Sequence, residues 1–291
     1  MPQTLRQLPW LLRRTLVASI DDGLFAIAKG AAYSGLLSLF PVLTSAAAIS
    51  LQMRADYFRQ KVSVFLEQIL PAGTEDAVLQ QFRYRGQRPV ILIVVAAVLS
   101  LWAASSVIKS LMDGFNAAYH VPRNRSVWAH MGVGIMLVFL IVIPMVGASS
   151  LILFGGTVEH GVMKLWKVDP ILNPLTPGLA IIFRIVRYAI AFSAGWTLTA
   201  ILYYFGPYRS QRWRHVWSGA FLATGLWLLA TLGFSWYVRH ITNYNVLYGS
   251  IGTSIALLIW MYLIAIVTLI GCEFNAELER IQRTEAIESQ S

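Results

Sequence analysis

The chain has little charge and almost no cysteine. Charged residues make up 13% of its 291 positions and hydrophobic residues 57%, against roughly 25% and 45–50% in soluble globular chains. So few charges cannot cover a soluble fold of this length, which excludes the two soluble domains its size would otherwise suggest. The single cysteine, Cys272, excludes an internal disulfide and a thiolate metal cluster. Catalytic signatures are missing too. No two of His120, His130, His160, His215 and His240 lie within four residues of each other. The chain has no His-Glu-x-x-His, glycine-rich phosphate loop or nucleophile elbow. An enzyme is therefore not expected, and neither is a resident metal or cofactor.

What the chain does have is long charge-free runs. A hydrocarbon core about 30 Å thick needs about 20 apolar residues per helix. Such windows lie between Lys29 and Arg54, Arg88 and Lys109, Arg125 and Glu159, Arg187 and Arg209, Arg214 and Arg239, and Arg239 and Glu273. They predict spans at about 30–53, 89–108, 131–154, 188–208, 216–238 and 252–272. The fold class that follows is an all-α polytopic membrane protein, a single membrane domain of six transmembrane helices with amphipathic interfacial helices. Arg13 and Arg14 interrupt the apolar run that a cleavable leader would need, so the first span is expected to serve as the insertion signal.

The net charge is +9, and 18 of the 23 cations are arginine. On a membrane protein such a balance points to anionic headgroups and topology signals rather than to nucleic acid. With both termini cytoplasmic the inside segments carry 12 cations and the outside segments 11, so the totals barely discriminate. Density does: three arginines fall within Arg209–Arg214 and two within Val121–Arg125. Short loops weigh most in the positive-inside rule, which favours both termini inside.

Three further segments are not spans. Leu5–Ile20 mixes Leu8, Leu12 and Leu16 with Arg6, Arg13 and Arg14, the pattern of an interfacial helix on an anionic surface. Residues 54–88 carry Phe58, Val62, Phe65 and Ile69 at helical spacing, break at Pro71 and Gly73, and restart at Thr74. They are expected to form an external amphipathic helical segment. Glu159–Leu179, with Pro170, Pro174 and Pro177, reads as an irregular external loop. Residues 274–291 read as a cytoplasmic tail.

Ionisable groups beside or within hydrocarbon are costly and so carry functional weight. Arg184 and Arg187, three apart, share a helix face at the start of the fourth span; they can snorkel to headgroups or form a paired cationic site. Lys29 precedes a Ser34/Ser38 face in the first span, and Glu273 closes the sixth as an interfacial cap or a proton carrier. These residues are the candidate substrate-binding set. Pro41 and Pro144 lie mid-span, where proline frees a carbonyl and kinks the helix. Tyr248 and Gly249 stand in an uncharged aromatic stretch before the last span, as a gating turn or an interfacial belt. Small residues at fourfold spacing in Ala28/Ala32, Ala191/Gly195/Thr199 and Gly219/Ala223 favour close helix approach and permit a homo-oligomer.

Three blocks resemble the YihY/BrkB family of bacterial inner-membrane proteins. They are Ala31-Ala32-Tyr33 through Ser38-Leu39-Phe40-Pro41, Asp113-Gly114-Phe115-Asn116, and Leu247-Tyr248-Gly249 through Trp260 to Gly271-Cys272-Glu273-Phe274-Asn275. Cys272 stands where that family usually has a small residue such as alanine. The resemblance implies six spans, an inner-membrane location and cytoplasmic termini. It also implies a history of functional labels: ribonuclease BN, regarded as mistaken, then serum resistance and export of envelope lipid or lipopolysaccharide. Together with the arginines and the amphipathic helices, it leads to a transporter or flippase-like protein for an anionic lipid or related envelope amphiphile. Anionic membrane lipids are then the expected partners. The alternatives are an ion or small-solute carrier using Glu273 or Lys29, a non-transporting membrane scaffold and, least favoured, a membrane ribonuclease.

Overall fold

The computed structural model describes residues 2–52, 90–122, 128–144, 176–241 and 249–288. All seven helices described lie within these segments: α1 (Pro2–Asp21), α2 (Leu24–Gln52), α3 (Val90–Ala118), α4 (Trp128–Pro144), α5 (Thr176–Phe205), α6 (Trp213–Ile241) and α7 (Gly249–Glu288). Five of them, α2, α3, α5, α6 and α7, are long and apolar enough to cross a bilayer. The remaining expected span falls on α4, which is apolar along its described length. The external segment at 54–88 lies outside the described residues, as do Tyr248 and most of the loop at 159–179.

The five long helices lie over charge-free windows and outrun them at one end or both. α3 continues past Lys109 to Ala118, and α5 begins at Thr176 with Pro177 in its first turn, where proline is tolerated because that N–H has no helical partner. α7 runs 40 residues, about 60 Å at 1.5 Å per residue, twice the hydrocarbon thickness. Residues 274–288 therefore continue the last span as helix, and Asn275, Ala276 and Glu277 are buried.

α2 lies along α3, α7 packs on both α2 and α6, and α5 packs on α6. Leu24, Met112, Phe115, Tyr203, Val216 and Leu269 belong to one core, situated where α2 and α6 begin and α3 and α5 end. The outer faces of α3, α5 and α6 expose Val98, Trp102, Ile185, Leu229 and Leu232, an apolar surface suited to lipid. α7 crosses α6 at glycine: a Cβ on Gly219 would overlap the carbonyl oxygen of Gly271. A Cβ on Gly271 would meet the Tyr203 hydroxyl at 2.5 Å and the Ala223 Cβ at 2.6 Å. The Gly219/Ala223 pair is thus a packing face. Gly195 approaches Thr224, whose hydroxyl lies 3.4 Å from that of Thr199, so part of that stripe is occupied by α6.

α1 folds back onto α7. Gly23, at φ +67°, ends α1 in the left-handed conformation that glycine adopts without a Cβ penalty. Its carbonyl accepts the first N–H groups of α2, from Ala26 and Ile27. α1 buries Leu11, Thr15 and Ser19 at fourfold spacing and leaves Trp10, Leu16, Val17 and Ile20 exposed. The Leu16 side of the helix thus remains open to an interface, and a neighbouring stripe does the packing.

Candidate functional site

The end of the bundle formed by the α1–α2 corner, the last turns of α3 and α5, the start of α6 and the extension of α7 gathers most of the described polar chemistry. α3 stops in a Schellman arrangement, with Val121 N–H bonded to the Asn116 carbonyl at 2.9 Å and His120 N–H to that of Ala117 at 2.9 Å. The left-handed position in this motif, usually glycine, is His120 at φ 52°. A side chain held there carries a backbone cost, and it brings the imidazole Nε2 to 2.9 Å from Asp22 Oδ1.

On α7, Glu273, Glu277 and Arg280 project from one face at helical spacing. Arg280 forms an ion pair with Glu277, lies 3.5 Å from Glu273 Oε1, donates to the Ala118 carbonyl at 2.8 Å and reaches His120 Nδ1 at 3.2 Å. Arg14 of α1 pairs with the other oxygen of Glu277. Glu273 is fully buried and Glu277 nearly so. The Asp22 carboxyl interacts with that of Glu273, and neither Asp22 Oδ2 nor Glu273 Oε2 has a hydrogen-bond donor. Beside this cluster α1 roofs a cavity of about 460 Å³, lined among others by Trp10, Arg13, Arg14, Asp21, His120 and Arg280.

A second ionic group flanks the first. Arg209, just after α5, donates to both oxygens of Glu279 at 2.6 and 2.7 Å, and Arg283 donates to the same carboxylate at 2.7 Å. The Arg209 guanidinium sits 4.5 Å from the centre of the Tyr119 ring. Burial pushes the Tyr119 phenol well above its ordinary range, so its hydroxyl stays a donor, to Gln211 at 3.4 Å. Asn116 and Asn275 act as clamps. Asn116 Oδ1 accepts Tyr208 N–H at 2.8 Å; Asn275 Oδ1 accepts Gly219 N–H at 2.6 Å, and its Nδ2 donates to the Val216 carbonyl. Asn275→Leu should lower stability by about 1–3 kcal/mol, because it leaves two buried backbone groups without their partner. The check is the Tm in detergent.

The residues expected from sequence do not converge on one place. Glu273 lies at the centre of the cluster. Lys29 is exposed on α2, while Ser34 and Ser38 are half-buried, with the Ser38 hydroxyl turned back to the Gly35 carbonyl. Arg187 stands 18 residues before the end of α5, about 27 Å along the axis, hence towards the opposite end of the bundle. Its guanidinium lies 5.7 Å from the centre of the Tyr188 ring, and its Nε is buried without a hydrogen bond. The Arg184 side chain lies outside the described residues. Pro41 is accommodated within α2, Pro144 is the last described residue of α4, and Gly249 opens α7. Among the described residues no group of three or more His, Cys, Asp or Glu side chains is arranged to hold a metal ion.

Comparison with known proteins agrees with this architecture. The chain is 28% identical over 253 residues to the putative ribonuclease-like protein YfkH of Bacillus subtilis, covering 86% of this chain and 88% of that one. It is 27% identical over 258 residues to a UPF0761 membrane protein of Tolumonas auensis, covering 88% and 81%. To a UPF0761 membrane protein of Methylibium petroleiphilum it is 23% identical over 291 residues, covering 95% of this chain and 64% of that relative. No solved structure matches it. The family described as Virulence factor BrkB matches residues 16–291, from within α1 to the last residue, and the chain belongs to that family of membrane proteins.

Proposed function

We propose that the protein moves an anionic lipid or related envelope amphiphile across the bacterial inner membrane, with both termini and the α1–α7 end cytoplasmic. The observation that carries this reading is the cavity beneath α1. It sits where the apolar spans give way to polar helix ends, the level of lipid headgroups. Its lining joins Trp10 and Val17 to Arg13, Arg14 and Arg280, with Asp21, Asp22 and Glu277 beside them. Arg14 and Arg280 are held by Glu277. The exposed Arg13 is therefore the guanidinium that would meet an anionic headgroup, and Trp10 and Val17 would meet the start of an acyl chain. Arg187 and Arg184 stand near the other end of α5 and would serve the opposite leaflet.

Reconstitution into vesicles containing a headgroup-labelled anionic phospholipid tests the reading. The protein is expected to accelerate exposure of the label to an external quencher. Arg13→Glu reverses the charge of an exposed rim residue and should slow that rate several-fold with unchanged membrane yield; the Arg184→Ala/Arg187→Ala double variant should do the same. No acceleration by the native protein would remove the function. Unchanged rates in the variants would remove these assignments.

A further inference from the structure

We propose that Asp22 and Glu273 hold one exchangeable proton between them, delivered from the cavity through His120, which makes the α1–α7 cluster a proton-binding site. The first argument is the count of charges. Three carboxylates, Asp22, Glu273 and Glu277, share two guanidiniums, Arg14 and Arg280. With all five ionised and His120 neutral, one negative charge remains in a place where Glu273 is 0% exposed. A buried uncompensated charge is costly enough that the group takes up a proton instead. One proton brings the cluster to neutrality.

Geometry then places that proton. It does not rest on His120, because Arg280 Nη2 already stands 3.2 Å from the imidazole Nδ1 and a second cation there would be repelled. Nor does Glu277 need it, being in contact with both arginines. That leaves Asp22 and Glu273, two carboxyls that interact and whose Oδ2 and Oε2 lack any donor; Glu277 Oε2 also lacks a hydrogen bond, but it is ion-paired to Arg14. Two facing acceptors bond only if one of them carries a hydrogen. The other charged groups packed nearby are already matched or face outward: Arg209 and Arg283 hold Glu279, and Arg13 and Asp21 stand exposed on the cavity wall.

A route to the pair is also present. His120 and Asp22 both line the cavity, and side-chain exposure falls from 63% at His120 to 15% at Asp22 and 0% at Glu273. The more open imidazole, 2.9 Å from Asp22 Oδ1, is thus the group that a proton from the cavity meets first. The left-handed backbone at His120 keeps an imidazole where glycine would be less strained, which is understandable if the ring passes protons. The imidazole Nε2, 2.9 Å from Asp22 Oδ1, exchanges its proton with the cavity and with Asp22, which shares it with Glu273, so no other reactant is required. This site rests on the buried cluster alone; joined to the amphiphile reading, it would be where a proton gradient drives that movement.

Infrared spectroscopy of the purified protein at neutral pH reads the proton without any lipid substrate. The expected signal is one protonated-carboxyl C=O band that shifts in deuterium oxide. It should be lost in Glu273→Gln, where the amide N–H replaces the shared hydrogen and keeps the fold, and equally in Asp22→Asn. His120→Gly, which relaxes the backbone, should retain the band but slow its deuterium exchange at least tenfold. Absence of the band from the native protein overturns the proposal, as does a band that survives both carboxyl substitutions. Because vesicle transport is measured separately, a missing band leaves the amphiphile reading standing, and failed transport leaves the proton site standing.

Discussion

Gly219→Leu and Gly271→Leu should each abolish the well-folded protein, as judged by loss of a monodisperse peak and a cooperative thermal transition in detergent. At the α6–α7 crossing a Cβ on either residue runs into backbone or into Tyr203 and Ala223, none of which can swing aside. Tyr203 is itself pinned, its hydroxyl donating to the Thr268 carbonyl at 2.5 Å. Overpacking a rigid site costs about 1–3 kcal/mol and sometimes more. Here the only relief is to separate two helices whose association in lipid depends on close approach rather than on hydrophobic burial. The same helix supplies controls. Gly225 and Gly233 have nothing within 4 Å of an added Cβ, so alanine at either should be neutral or stabilise by up to about 1 kcal/mol. Equal losses at Gly219, Gly225 and Gly233 would show that α6 tolerates no added side chain at any of them, and the crossing would lose its special role.

The spans were legible because hydrocarbon imposes one rule on sequence: charge stays out for about 20 residues. Lys29, Arg88, Arg187 and Arg214 therefore mark the starts of windows that the helices largely cover. That rule is silent about where a helix ends. α3 crosses Lys109 and continues through Asp113, and α7 crosses Glu273 and continues to Glu288, because a polar helix face is allowed once it packs on another helix or meets water. The small-residue pattern Gly219/Ala223 was readable as close packing, since few other roles suit small residues at that spacing. Its partner across the crossing was not, because Gly271 comes into register only when the two helices are laid together.

The cluster was less legible than the spans. Glu273 stood out as a lone carboxylate at the end of an apolar run. Glu277 and Arg280 follow it at helical spacing, but a charged stretch beyond a span carries no apolar periodicity to show that it stays helical and forms one ionic stripe. Asp22, Arg14 and His120 lie more than 150 residues from Glu273 in sequence. Their approach depends on α1 doubling back at Gly23 and on a left-handed histidine, neither of which leaves a periodic trace. The arginine pair at 184 and 187 was conspicuous for the opposite reason: charge near hydrocarbon is easily seen in sequence, whether or not its neighbours converge on it.

Arg280→Ala should be the most damaging change within the cluster, at about 3 kcal/mol. One side chain contacts Glu273 and Glu277, donates to the Ala118 carbonyl and touches His120. Removing one partner of a buried ionic group costs about 3–5 kcal/mol because the remaining charges stay buried; the guanidinium is 31% exposed, which places the loss at the lower end. The variant leaves three carboxylates facing Arg14 alone, so it must take up more protons than the native protein to remain folded. Its deficit should therefore grow as pH rises and shrink as pH falls, since the folded form then binds more protons than the unfolded one. Arg280→Lys should recover only part of the loss, because an ammonium on a flexible stem cannot span a backbone carbonyl and two carboxylates as the planar guanidinium does. The Glu277→Gln/Arg280→Gln pair restores the native balance of one surplus negative charge. It should be more stable than Arg280→Gln alone by at least about 1 kcal/mol, a non-additive result expected of residues in one network. Strict additivity across that double-mutant cycle, with no pH dependence in Arg280→Ala, would mean that Arg280 acts through packing and the Ala118 carbonyl, and that charge balance does not govern this end of the bundle.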